Sequence, residues 1–110
     1  MNSEIRFTEH FKKEYKRLAK KYVSLKHDMF LLVEELKKNP MSGTNLGNNT
    51  YKIRMAVSSK GKGKSGGARV ITYFVNNDNI VYLLSIYDKS NEINISDNEI
   101  KKILKEIENG

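Results

Sequence analysis

The chain has 110 residues, enough for one domain with a modest hydrophobic core and too few for two, so we expect a single domain over residues 1–110. Its 38% hydrophobic and 30% charged residues are typical of a globular protein, and the lack of cysteine excludes disulfides and thiolate metal sites. The net charge of +7 favours an anionic partner without identifying it.

The sequence predicts a protein that stays in the cytoplasm. It contains no run of eighteen apolar residues that could cross a membrane, and its amino-terminal residues lack the apolar core of a signal peptide. The two histidines have no metal-ligand spacing. We therefore predict no metal site, no cofactor and no membrane association.

The first half of the chain predicts a short strand followed by two helices. The strand is expected at residues 5–7, and Thr8 can cap a first helix. The apolar stripe of this helix consists of Phe11, Tyr15, Leu18 and Tyr22. Ser24 is a candidate cap for a second helix, which Pro40 ends, so the two helices should form a hairpin. Residues 41–49, rich in glycine and asparagine, are expected to be a loop.

From Thr50 onwards the apolar residues recur with a period of two, which indicates strands. In the first of these strands, burial of the apolar set would direct Lys52 and Arg54 to the opposite face. The segments 68–76 and 79–87 are apolar on both faces, as central strands are.

A capping box, Ser96 to Glu99, begins a last amphipathic helix, which gives the element order βααβββα. This order predicts an α+β fold: an antiparallel sheet with the helical hairpin packed on one face. The other face should stay open, with the cations of the strands upon it.

The excess positive charge lies in one interval of the sequence. Residues 37–77 contain eight Lys and Arg and no acid, whereas the rest of the chain has twelve basic and thirteen acidic residues. Within this interval the loop SSKGKGKSGG places Lys60, Lys62 and Lys64 among glycines. We expect a mobile loop whose lysines bind nucleic-acid phosphates. Its Gly-Lys-Ser is not read as a P-loop, because the segment leads into a strand.

The strings TYKIRMAV, GKSGGARVITYFV and IVYLLSIYDKS resemble the RelE/ParE superfamily of bacterial toxins, and most of all its HigB-like members. The resemblance implies a small, basic toxin of a type II toxin-antitoxin system. It also implies a cognate antitoxin, which we expect to be of helix-turn-helix type, and cleavage of mRNA on the ribosome. The endonuclease would need no metal.

By position, the resemblance implies a site made of Lys52, Arg54 and Arg69, with Lys89 as the basic residue after the last long strand. Several relatives carry a tyrosine or histidine a few residues further on; here Tyr87 is the nearest candidate. RNA supplies its own nucleophile, the 2′-hydroxyl, so the protein must orient it, spread phosphate charge and move two protons. We expect Arg69, assisted by Arg54, to stabilise the phosphate charge, because a guanidinium binds phosphate oxygens and does not deprotonate. Lys52, expected to lie across from Arg69, is the candidate for proton transfer.

Two other functions remain open at this point. One is a ParE-like inhibitor of DNA gyrase, and the other is a nucleic-acid-binding module without catalysis. The role of Tyr73 and Tyr82 is also open, because residue parity does not decide whether they belong to the core or could stack on a base.

Overall fold

The structure is a computed structural model that describes residues 2–61, 63–91 and 95–109. The elements are β1 (Glu4–Phe7), α1 (Glu9–Lys21), α2 (Leu25–Lys38), β2 (Thr44–Gly47), β3 (Thr50–Met55), α3 (Gly63–Gly66), β4 (Ala68–Val75), β5 (Ile80–Asp88) and α4 (Asp97–Asn109). Short 3₁₀ turns occupy Ser58–Lys60 and Lys89–Asn91. Within the described ranges, no helix has the length and apolar character needed to span a membrane.

The five strands form one mixed sheet in the order β1-β5-β4-β3-β2. The α+β class and the meander of β3, β4 and β5 are confirmed. The sheet is not purely antiparallel, because β1 runs parallel to β5 after the helical hairpin has carried the chain away from it. Strand β2 was expected to be loop: its four residues include a glycine and are too few to show an alternating pattern.

The helical hairpin covers one face of the sheet, as predicted. Thr8 caps α1 by accepting a hydrogen bond from the amide of Phe11 at 3.1 Å. The core beneath the hairpin contains fully buried side chains from both layers: Phe11, Leu25, Leu36, Val70, Val81 and Leu83. Burial of this apolar set is what fixes the two helices on the sheet.

The opposite face is not open, which corrects the sequence-based expectation. Ile100 and Ile103 of α4 pack against Ile71 and Leu84 of the two central strands. The capping box correctly predicted this helix, but an amphipathic pattern does not tell which face of a sheet the helix will cover. Uncovered surface on this side therefore lies towards β3, near the edge of the sheet.

A register shift between Ile71 and Thr72 of β4 changes the side-chain parity along β5. Before the shift Val81 and Leu83 face the hairpin, and after it Ile86 does. A bulge of this kind is not visible as a break in the apolar pattern.

Tyr73 and Tyr82, which pair with each other across β4 and β5, lie on the face of the sheet that α4 covers. Both rings pack against the α4 cluster and lie 6.3 Å apart between centroids, with 28° between their planes. Both are partly buried, so they serve at least in part to pack that face.

Candidate active site

Three of the predicted site residues form one row across the sheet. Arg54 of β3 pairs with Arg69 of β4, and Arg69 pairs with Tyr87 of β5. Directly opposed residues point to the same face, with Cβ atoms about 4.5–5.5 Å apart. Tyr87 contacts the α4 cluster, so the row lies on the face opposite the helical hairpin.

Lys52 lies on the same face as Arg54, two residues earlier on β3, but it does not stand across from Arg69 as expected. Its partner in the register is Ile71, which makes Lys52 a diagonal neighbour of Arg69. Lys52 is half-buried and Arg54 is exposed. Of the predicted site residues, these two lie nearest the β2 edge of the sheet, where a large anion can approach them.

Arg69 has an environment that its sequence context did not predict. The residue is only 7% exposed. Its Nη1 donates to the carbonyls of Lys64 and Ala68 at 3.1 and 3.2 Å, and its Nη2 donates to the carbonyl of Ser65 at 3.0 Å. Helix α3 is a single turn, and the guanidinium donates to two of its carbonyls, those of Lys64 and Ser65. At least part of the fork of Arg69 is therefore committed to the protein backbone.

A groove of about 670 Å³ runs beside the exposed end of this row. Lys52, Arg54 and Lys64 line it together with two carboxylates of α2, Asp28 and Glu35. The described part of the loop thus contributes the exposed cation Lys64 to the same space as the two cations of β3. A groove with converging cations fits a phosphate group and the nucleotides attached to it.

The 58–67 segment was expected to be unable to pack, and this is wrong for its first part. Lys60 was grouped with the RNA-binding lysines, but its side chain is 6% exposed and its ammonium lies 2.7 Å from a carboxylate oxygen of Asp88. The segment contains a 3₁₀ turn and α3. Lys62 lies outside the described residues.

The last two predicted residues flank the end of β5. Burial raises the pKa of the Tyr87 hydroxyl, and the charge of Arg69 only partly opposes this. Tyr87 therefore stays protonated at neutral pH, as a donor rather than a base. Lys89 is exposed at the start of a 3₁₀ turn, and its amide donates to the carbonyl of Gly67 at 3.1 Å.

Two buried carboxylates beside the loop were missed by sequence reasoning. Asp28 accepts hydrogen bonds from the amide and hydroxyl of Ser58, at 2.9 and 2.6 Å, and from Ser24 Oγ at 2.7 Å. Burial opposes its ionisation, but these bonds outweigh that effect and lower the pKa of Asp28. A signal existed in the sequence, because position 28 falls on the apolar stripe that Leu25 and Leu32 define.

Asp88, the second buried carboxylate, gave no comparable signal. It ends a strand whose parity the register shift had already changed. Burial alone would raise its pKa, but hydrogen bonds from Lys60, Ser90 and Tyr22 outweigh burial and hold that pKa far below the usual range of an aspartate. Both carboxylates are therefore ionised in the folded protein at neutral pH.

Acidic and histidine side chains do not gather into a metal site in the part of the chain that the structure describes: no group of three or more could hold an ion. The cations that line the groove, among the described residues, are Lys52, Arg54 and Lys64.

Comparison with known proteins identifies the fold. The chain superposes on E. coli RelE in the free state, an arginine-to-alanine double mutant, with a TM-score of 0.65 and 17% identity over 97% of this chain and 99% of that one. A second structure, of the isolated E. coli RelE toxin, superposes with a TM-score of 0.58 and 19% identity, over 96% of this chain and 98% of that one. A chain of the RelBE2 toxin-antitoxin complex of Mycobacterium tuberculosis superposes with a TM-score of 0.57 and 13% identity, over 80% of this chain and 99% of that one.

The sequence itself matches a family model as well. The model is that of the RelE toxin of the RelE/RelB toxin-antitoxin system, and the match spans residues 8–109. It includes both helices of the hairpin, β3 with its two cations, the loop and the strands that carry Arg69 and Tyr87. The chain belongs to the RelE toxin family.

Proposed function

We propose that this RelE-family toxin is a metal-independent endoribonuclease that cleaves mRNA on the ribosome and thereby inhibits translation. The observation that carries the proposal is the register of β3, β4 and β5, which aligns Arg54, Arg69 and Tyr87 in one row, with Lys52 beside it on the same face. Such a row offers the two things that RNA cleavage needs from a protein, positive charge at the phosphate and groups that exchange protons.

The nucleophile would come from the substrate. The 2′-oxygen of the ribose attacks the adjacent phosphorus, its proton passes to a base, and the bond to the 5′-oxygen of the next nucleotide breaks as that oxygen gains a proton. The products are a 2′,3′-cyclic phosphate and a free 5′-hydroxyl. The protein must hold these atoms in line and stabilise the charge of the pentacoordinate phosphate.

Arg54 is the best placed side chain for the phosphate charge. It is exposed, it lines the groove, and a guanidinium can bind two phosphate oxygens at once without losing its proton. Arg69 was the first choice from sequence, but three backbone carbonyls occupy its Nη atoms. We assign Arg69 the role of holding α3 and adding positive potential behind Arg54.

Lys52 and Tyr87 are the candidate proton carriers. Lys52 stands on the same strand face as Arg54 and lines the groove, so it can reach the ribose or the phosphate. Tyr87 carries its proton at neutral pH, as tyrosines do and as the burial that raises its pKa reinforces, so its hydroxyl can donate to the leaving 5′-oxygen. Lys89, exposed beyond the end of β5, is assigned to phosphate binding.

Binding of the rest of the RNA would use the loop and the groove. Lys64 is exposed and lines the groove beside Arg54, so we retain it as an RNA-binding residue, and Lys62 with it on sequence grounds. Lys60 is removed from that set because its ammonium is buried against Asp88.

The partners that the proposal requires are a ribosome with its mRNA and a cognate antitoxin. Members of the family act in toxin-antitoxin systems, and one of the similar structures is a complex of that kind. We propose a helix-turn-helix antitoxin for this chain and action in the cytoplasm, where translating ribosomes are found.

The test is cleavage in a translating extract. We expect the purified chain to produce new mRNA 5′ ends at codon spacing, and the same amount to leave gyrase supercoiling unchanged. Intact mRNA with inhibited supercoiling would replace the proposal with the gyrase-inhibitor function. Intact mRNA with unaffected gyrase, but with RNA still bound, would leave a binding module without catalysis.

A further inference from the structure

We propose that the buried Lys60–Asp88 ion pair is a positioning device for the candidate active site: it fixes the loop between β3 and β4 so that Lys64 and Arg69 take their places beside Arg54. Neither residue would touch the RNA. The inference rests on the proposed function for its catalytic consequence, but the geometry that it describes can be tested separately.

Asp88 is the centre of the arrangement. The residue is 2% exposed and its carboxylate is shared by three segments of the chain. The hydroxyl of Tyr22, just after α1, donates to one oxygen, and Lys60 Nζ donates to the other at 2.7 Å. Ser90 donates from its amide at 3.0 Å and from its hydroxyl at 2.6 Å. One carboxylate thus joins the helical hairpin, the loop and the turn after β5.

Lys60 fastens the loop at two points. Besides Asp88, its ammonium donates to the carbonyl of Gly67 at 3.2 Å, and it lies 5.4 Å from the centroid of the Tyr22 ring. The same Gly67 carbonyl accepts the amide of Lys89 at 3.1 Å. The beginning and the end of the loop are therefore held against each other and against the end of β5.

This contact has a direct path to the site. Gly67 is followed by Ala68, whose partner across the sheet is Asp88, and by Arg69, which belongs to the proposed catalytic row. Between the two fixed ends lies α3, whose carbonyls receive the guanidinium of Arg69 and whose exposed Lys64 lines the groove. If the ends separated, the position of Lys64 and the support of Arg69 would both change.

The composition of the loop makes external anchoring necessary. Four of its ten residues are glycines, which gain the most conformational freedom when a segment is released. An ion pair for stability alone would be a weak reason for burying two charges, since apolar side chains of similar volume often do as well. A polar side chain serves here because one ammonium binds both Asp88 and the Gly67 carbonyl and so holds the two ends of the loop together, which no apolar side chain can do.

The experiment uses Lys60→Met, with Lys105→Met as the matched control because Lys105 is an exposed lysine of α4 outside the site. Cleavage of mRNA in the ribosomal complex is measured at a temperature where each variant is fully folded, as the maximal rate and as the toxin concentration that gives half of it. We expect Lys60→Met to lower the maximal rate by about tenfold or more, as misplacement of catalytic groups does, and Lys105→Met to match the wild type.

Backbone hydrogen exchange of residues 58–67 is the second readout, and it needs no catalysis. Exchange should become faster in Lys60→Met and in the double variant Lys60→Met/Asp88→Leu, in which burial is restored without the hydrogen bonds. A folded Lys60→Met protein with wild-type exchange overturns the proposal, and so does wild-type cleavage in both variants. If the wild type itself cuts no mRNA, the proposed function fails, whereas the exchange result still decides whether the pair positions the loop.

Discussion

At the scale of single residues, two arginines that face each other across the sheet have opposite environments. Arg54 is exposed on the groove, whereas Arg69 is buried and donates to backbone carbonyls. Sequence position could not separate them, because the difference comes from α3, whose backbone carbonyls accept hydrogen bonds from the guanidinium of Arg69. Their substitution should therefore have different consequences.

We predict that Arg54→Ala lowers the rate of mRNA cleavage by about 10²–10³-fold, the effect of removing one donor from a developing negative charge. Since Arg54 is exposed, the free energy of unfolding of the Arg54→Ala variant should stay within about 0.5 kcal/mol of the wild-type value. Cleavage kinetics and urea unfolding check this prediction. Wild-type kinetics in Arg54→Ala would remove it from the site.

Arg69→Ala should reduce cleavage and stability together. Removal of the guanidinium leaves the carbonyls of Lys64, Ser65 and Ala68 without these donors, at a cost of about 1–3 kcal/mol for each one that stays buried. The urea midpoint of Arg69→Ala should fall well below that of Arg54→Ala. Equal midpoints in the two variants would show that the backbone contacts of Arg69 do not hold the loop.

The ionisation of Asp88 predicts how stability depends on pH. Hydrogen bonds outweigh burial and place its pKa far below that of an unfolded aspartate, which is about 3.9. The unfolded chain then binds the proton more readily, so the stabilisation is complete above about pH 5 and is lost as the pH falls below it. Asp28 shifts in the same direction and adds to the loss.

Asp88→Asn tests this at pH 7 and again at pH 3. At neutral pH the free energy of unfolding of the variant should be about 3–5 kcal/mol below that of the wild type. This is the cost of leaving a buried charge, here that of Lys60, without its partner. The difference in unfolding free energy between the variant and the wild type should be smaller at pH 3, because the wild type has by then lost part of the stabilisation that Asp88 provides. A difference that stays constant between the two pH values would contradict the assigned pKa direction.

At the scale of the elements, the sequence predicted well the helices and strands that bury an apolar face. The apolar stripes of α1 and α2 are visible because they face the core beneath the hairpin, and the apolar runs of β4 and β5 are visible because these strands bury residues on both faces. Strand β2 could not, since its four residues are all exposed and leave no hydrophobic pattern. The face chosen by α4 depends on Ile71 and Leu84, which only the folded sheet brings together.

The candidate site was predictable to the same extent and for a related reason. Alternation along β3 placed Lys52 and Arg54 together, and the meander brought Arg69 and Tyr87 into line with Arg54. The fate of the loop lysines was not predictable. Lys60 and Lys64 have similar neighbours in the sequence, but Lys60 forms an ion pair with the buried Asp88, whereas Lys64 lines the groove.

The close approach of the loop to β3 yields a prediction at Gly67. A Cβ atom on this residue would lie 2.1 Å from the carbonyl oxygen of Met55, much nearer than any real contact. Gly67→Ala should therefore displace the end of the loop and lower both stability and cleavage. Ser65→Ala is the matched control, because only the backbone carbonyl of this exposed residue is used. Unchanged unfolding midpoints in Gly67→Ala would contradict this packing.

At the scale of the whole molecule, charge is separated by location rather than distributed evenly. Most of the basic interval folds into β3, the loop and β4, and three of its cations there, Lys52, Arg54 and Lys64, line one groove. A second set on α1 is also exposed: Lys12, Lys13, Lys16, Arg17, Lys20 and Lys21. These two surfaces are separate, since α2 contributes to the groove but no residue of α1 lines it.

Salt dependence can tell the two basic surfaces apart. For single-stranded RNA, the logarithm of the binding constant should fall with the logarithm of salt concentration by about 0.7 for each phosphate contacted. If RNA lies in the groove, Arg54→Ala and Lys64→Ala should each reduce this slope by about 0.7, and the double variant by about twice that. Fluorescence anisotropy of a labelled oligonucleotide at several salt concentrations measures it. Lys16→Ala and Lys20→Ala on α1 are the controls, expected to leave the slope unchanged; a loss of slope in these variants alone would move the RNA-binding surface to the helical hairpin.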